Sequence, residues 1–136
     1  MTVQPIDTIQ SYHAHIYFAG AAQRRIAESL RAEIAKRFSV RIGRWHEQPI
    51  GPHTRPMYQL AFLPQEFARL VPWLMINRGD LAILIHPNTG RPKADHLTHA
   101  LWLGEVLEID AAPLPDDDGD AEPLETAPNT DPTLRP

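Results

Sequence analysis

Residues 12–18, Tyr-His-Ala-His-Ile-Tyr-Phe, alternate strictly, with Tyr12, Ala14, Ile16 and Phe18 on one side and His13, His15 and Tyr17 on the other. Successive side chains of an extended strand point to opposite faces, so this strand buries one face and reserves the other for imidazole and phenol groups. After Gly20, Ile26, Leu30 and Ile34 recur every four residues with Ala27 beside them. That spacing predicts an amphipathic helix of roughly 17 residues. Ser39–Trp45 predicts a second strand, and Pro49, Gly51 and Pro52 make 46–55 a loop. Met57–Phe62 predicts a third strand. Pro64 suits the first turn of a helix carrying Phe67, Leu70, Val71 and Leu74, which Pro72 is expected to bend or split. Gly79-Asp80 then turns the chain into Leu81–Ile85, an apolar run suited to a central strand. The order βαββαβ predicts an α+β, ferredoxin-like sandwich: a four-stranded antiparallel sheet in the order four, one, three, two, with two helices on one face.

The 136 residues suffice for one domain, and no stretch approaches the ~20 apolar residues of a membrane span. No basic segment followed by an apolar run opens the chain, and there is no cysteine for a disulfide or a thiolate metal site. A cytoplasmic protein is the expectation. The net charge of −4 is unevenly spread: residues 111–136 hold seven acids, one base and six of the fourteen prolines, a net −6. That composition predicts an acidic, proline-rich disordered tail, most simply a solubilising appendage, after a folded domain over 1–110. The folded part is only +2, with its bases mostly on the first helix, so neither nucleic acid nor a membrane is an expected partner.

Seven histidines remain, and five sit in short polar signatures at strand ends: His13, His15, His53, His86 and His96. Neutral imidazole is the commonest ligand for a divalent transition metal and the usual acid or base near neutral pH. His13 and His15, two residues apart on one strand face, have Cβ atoms about 6.5–7 Å apart and can reach one ion. His86, from the adjoining strand, completes a three-histidine metal face. The sandwich is expected to gather His13, His46, His53 and His86 at one end of the sheet. The open face, which also carries Tyr17, needs a cover, either a second copy of the chain or the segment after His86.

Tyr12-His13-Ala14-His15-Ile16-Tyr17-Phe18, Gly51-Pro52-His53 with Met57-Tyr58-Gln59, Pro72-Trp73-Leu74, Leu84-Ile85-His86-Pro87-Asn88-Thr89-Gly90, Asp95-His96 and Ala100-Leu101-Trp102-Leu103-Gly104 together resemble the DOPA 4,5-dioxygenase family. The resemblance runs from about Tyr12 to Asp110 and leaves out the acidic tail. It implies a ferredoxin-like fold, a homodimer, and extradiol cleavage of a catechol such as L-DOPA by O₂ at an Fe(II) centre. An unligated histidine would serve as acid and base in such a reaction, and His53 and His96 are the candidates. Arg55 is a candidate partner for a substrate carboxylate, and Tyr17 for substrate contact. Asp95 is left open between metal ligand, orienting group and helix cap. Trp73 and Trp102 are assigned to the core, and His46 and His99 to the surface.

Two other readings compete. Two-histidine phosphoesterases need a pair of His-x-Thr/Ser motifs, and only His96-Leu97-Thr98 is present. A non-enzymatic metal- or ligand-binding module would use the same histidines without consuming O₂.

Overall fold

The computed structural model describes residues 1–119 and 123–136. After a short 3-10 turn at Ile6–Thr8 come strand β1 (Ser11–Tyr17), helix α1 (Gly20–Arg37), β2 (Arg41–Ile42), β3 (Met57–Phe62), helix α2 (Pro64–Asn77), β4 (Ile83–Asn88), the short helix α3 (Pro92–His96) and β5 (Leu101–Leu103). All strand pairs are antiparallel, in the order β2-β3-β1-β4-β5. This is the expected ferredoxin-like order with a fifth strand added beyond β4. β5 is three residues long, too short to register as a periodic pattern.

The alternation in β1 sorts the two faces. Ala14, Ile16 and Phe18 join Tyr58, Leu60 and Phe62 of β3 and Ile83 and Ile85 of β4 in one core, closed by Ala27, Leu30 and Ile34 of α1 and Leu70, Val71 and Leu74 of α2. Each large apolar side chain fully buried there contributes roughly 1.5–3 kcal/mol of transfer free energy. The buried Tyr58 hydroxyl in this layer donates to the Ala27 carbonyl.

Three local expectations are corrected. Helix α2 is not split at Pro72 but continues through it as one helix. Pro72 and Ala68, whose carbonyl loses its partner, are both exposed, so water can fill the vacancy. Strand β2 is only two residues long, although Gly43 donates to the Gln59 carbonyl and His46 bridges Met57 beyond it. Strand β4 continues past Ile85 through His86 and Pro87. Asn88 turns its carbonyl toward Gln10 on the β1 side, so Pro87 faces the opposite side, where β5 has ended at the pair Leu101–Ile85. A proline's missing N–H is tolerated at such an unpaired edge.

The acidic stretch after residue 110 makes ordered contacts at two places. Pro115 accepts from Lys93 N–H and Asp118 donates to the Gly90 carbonyl, while Asn129 and Thr130 are hydrogen-bonded along β2 and Thr133 and Leu134 to the end of α1. Among the described residues, no helix is long and apolar enough to cross a membrane.

Candidate metal centre

The histidines do converge, but not at a rim of the sheet. His13 lies opposite His86, near the start of β1, whereas Met57 at the start of β3 lies opposite Tyr17 at the other end. Antiparallel polarity therefore puts His13 and His86 at one end and His46 and His53 at the other. The meeting point is the middle of the open face, around His15. The 46–56 loop folds back over that face, where His53 bridges Ile109 and its ring comes within 4.0 Å of His15. From the other side α3 lays His96 against His86, ring centroids 3.9 Å apart.

Two overlapping triads result, His13–His15–His86 and His15–His53–His96, each with one nitrogen per residue lying within 4.8 Å of the other two. His15, His53 and His86 are buried, and His13 and His96 are partly open. No carboxylate belongs to either triad. The hydrogen bonds fix several protons. His86 Nδ1 lies 2.9 Å from the Pro87 carbonyl and His96 Nδ1 lies 2.8 Å from that of Pro92. A carbonyl only accepts, so both Nδ1 atoms carry hydrogen and both Nε2 atoms are bare lone pairs.

His15 Nε2 stands 3.1 Å from His86 Nε2, while the buried His15 Nδ1 has no partner. Two imidazole nitrogens bound side by side to one ion at ~2.1 Å would stand about 3.0–3.4 Å apart. The spacing and the bare His86 Nε2 fit a divalent metal held by neutral nitrogen donors, and no hydrogen bond at His15 Nδ1 fixes the tautomer of that ring.

Electrostatics favours the same state. Burial, helped by His96, pushes His13 down to about 4. Burial, with His96, His13 and His46 nearby, does the same to His53. Burial, with His53 and His86 nearby, holds His15 well below the ordinary imidazole value; burial, with His96 and His13 nearby, does the same to His86; and burial lowers His96. Each would have to bring a charge into a crowded, poorly solvated space, which favours the neutral, metal-ligating form of the ring.

The segment after His86 supplies the cover. Leu107 packs with Tyr17, Met57, Ala82 and Leu84 in a second apolar cluster, flanked by Ala100, Trp102 and Ile109. Tyr17, expected to touch substrate, is 1% exposed; its hydroxyl lies 2.6 Å from His53 Nδ1 and its ring stacks on Trp102. In this state it holds His53. Arg55 stands outside the cluster with its guanidinium facing both oxygens of Glu105 at 3.5 Å.

Asp95 is neither an N-cap, a position held by Arg91, nor a member of either triad. Its oxygens take the Thr89 N–H and hydroxyl, and His99 Nδ1 donates to one of them at 2.9 Å. It pins the turn that delivers His96. Trp73 packs against the main core, edge-on to Phe38, as expected. His46 stays outside both triads. The Tyr17–Trp102 stack, Glu105 and the Asp95 clasp were not foreseen, because each depends on side chains distant in sequence.

The sequence profile of the Dopa 4,5-dioxygenase family matches residues 12–112. The chain belongs to that family. A 21.2 kDa uncharacterized protein of Botryotinia fuckeliana is 39% identical over 120 residues, covering 79% of this chain and 66% of that protein. The DOPA 4,5-dioxygenase of Amanita muscaria is 32% identical over 115 residues, covering 79% of this chain and 50% of that one. This member thus spans two thirds or less of the length of those relatives. A crystal structure from Nostoc punctiforme with a provisional dioxygenase description is 47% identical, with a TM-score of 0.77 over 79% of this chain and 93% of that one. Family and neighbour point to a dioxygenase, and the histidine cluster could hold its metal.

Proposed function

We propose that the protein is an extradiol dioxygenase that opens the ring of a catechol such as L-DOPA, using O₂ and an Fe(II) held by His13, His15 and His86. The observation that carries the proposal is the pair of Nε2 atoms of His15 and His86 at 3.1 Å, one of them bare because its ring donates through Nδ1 to the Pro87 carbonyl. A bound Fe(II) would supply positive charge for a chelating catecholate and the redox capacity to join it to O₂. Three neutral imidazoles add no negative charge, so the site favours an anionic, two-oxygen substrate.

The remaining histidines have distinct proton states. His96, with Nδ1–H on the Pro92 carbonyl, presents a bare Nε2 and takes the proton that a catechol hydroxyl gives up. Burial raises the Tyr17 phenol and keeps it protonated, so it donates to His53 Nδ1 and leaves the His53 hydrogen on Nε2. His53 thereby presents an Nε2–H as hydrogen-bond donor to the substrate, and His96 returns the proton it took when the ring opens. Arg55 binds a carboxylate on the substrate's side arm in exchange for Glu105. Both atoms of O₂ enter one product, and the electrons come from the ring, so no further reductant is needed.

Labelling with ¹⁸O₂ tests this. Two labelled oxygens in one yellow ring-opened product are expected from the Fe(II)-loaded protein. Metal binding with no oxygen incorporated from any catechol would favour the ligand-binding module instead.

A further inference from the structure

Strand β2 is an edge of the sheet, and its outward side is already taken. Arg41 and Gly43 face β3, so Val40 and Ile42 turn their N–H and C=O groups outward. All four groups are satisfied by two residues far along the chain. Asn129 N–H donates to the Val40 carbonyl at 3.1 Å. Its side-chain amide accepts from Ile42 N–H at 2.8 Å and donates to the Ile42 carbonyl at 2.9 Å, as a neighbouring strand's backbone would. The Thr130 hydroxyl accepts from Val40 N–H at 3.1 Å and donates to the Phe38 carbonyl at 2.6 Å. Beyond them, Thr133 and Leu134 N–H groups both reach the Lys36 carbonyl at the end of α1, at 2.8 and 2.9 Å.

We propose that residues 127–134 are a built-in guard that closes the β2 edge against pairing with a second copy of this chain. An open edge is a template for another strand, and natural sheets blunt it by covering, proline or charge. This segment combines all three. It covers the edge, its sequence Ala-Pro-Asn-Thr-Asp-Pro-Thr-Leu places a proline on each side of the pairing residues, and Asp131 follows them directly. The prolines have no N–H to offer a further strand, so the sheet ends at the guard instead of gaining a new edge. The guard lies outside residues 12–112, the span matched by the family, and serves assembly, not ring cleavage.

The test compares the full chain with Asn129→Ala/Thr130→Val and with a chain ended after Thr126. Exchange of the Val40 and Ile42 amides is followed by NMR, and mass by sedimentation over a wide concentration range. In the full chain both amides are expected to be protected. In both variants they should exchange about tenfold faster or more, the worth of a hydrogen bond or two. Both variants should also show a concentration-dependent association step that the full chain lacks. Thr130→Ser, which keeps the hydroxyl, should behave as the full chain.

Unprotected amides in the full chain would overturn the proposal, as would variants of unchanged mass at every concentration. A drop in mass on truncation would overturn it too, because the segment would then be exchanged between copies. Far-UV circular dichroism and histidine-dependent metal binding, both remote from β2, report that the variants are folded.

Discussion

Lowering the pH on the metal-free protein should unfold it through the histidine cluster, with a slope that the structure fixes. An unfolded histidine titrates near 6.5, whereas His13 and His53 are held at about 4 in the fold. Between those values the unfolded chain binds more protons than the native one, so stability falls as pH falls. The contribution is fully present above pH ~6.5, is lost progressively down to ~4, and is flat below. Each group can remove about 3 kcal/mol across that window, with water access at His13 trimming its share. Near pH 5.3 the two together give a slope of roughly 2.5 kcal/mol per pH unit, and His15 and His86, shifted the same way, steepen it. Domains of this kind have about 5–15 kcal/mol to lose, so the apo-protein should unfold before the cluster finishes titrating. Urea denaturation in chelator at closely spaced pH values measures the slope, and His53→Gln should lower it by close to one proton. A flat profile between pH 6 and 5, or a slope unchanged in His53→Gln, would refute the electrostatic account.

Three further outcomes are expected. Tyr17→Phe removes the 2.6 Å partner of His53 and should cost about 1–3 kcal/mol in a denaturation curve, lowering kcat while leaving metal content intact. Asp95→Asn frees Thr89 and His99 and should loosen the turn carrying His96, so kcat falls with metal still bound, by parallel kinetics and metal analysis. Metal at about a hundred times its dissociation constant should stabilise the protein by about 2.7 kcal/mol, read as a rise in Tm that chelator abolishes.

The first four strands, the two long helices and their order were legible because period-two and period-four patterns report burial directly, whereas three-residue β5 carries no such pattern. His13, His15 and His86 were legible as neighbours because adjacent strands fix their register. The position of the cluster was not. His53 and His96 arrive on a loop and a five-residue helix, whose paths are set by tertiary contacts such as the His53–Ile109 bridge and the Asp95–Thr89 clasp. The role of Asn129 and Thr130 was equally hidden. Composition marks the acidic stretch as too poor in apolar groups to form a core, but one amide and one hydroxyl can satisfy an edge without burying apolar surface.

The central claim is that the buried histidines hold a metal that joins O₂ to a catechol. The most direct measurement is O₂ consumption by protein stripped of metal, reloaded anaerobically with Fe(II), and given L-DOPA or plain catechol in air. One ion per chain, uptake stoichiometric with a yellow product, and loss of both ion and uptake in His15→Ala are predicted. Failure to bind metal, or uptake that persists in His15→Ala, would contradict the account.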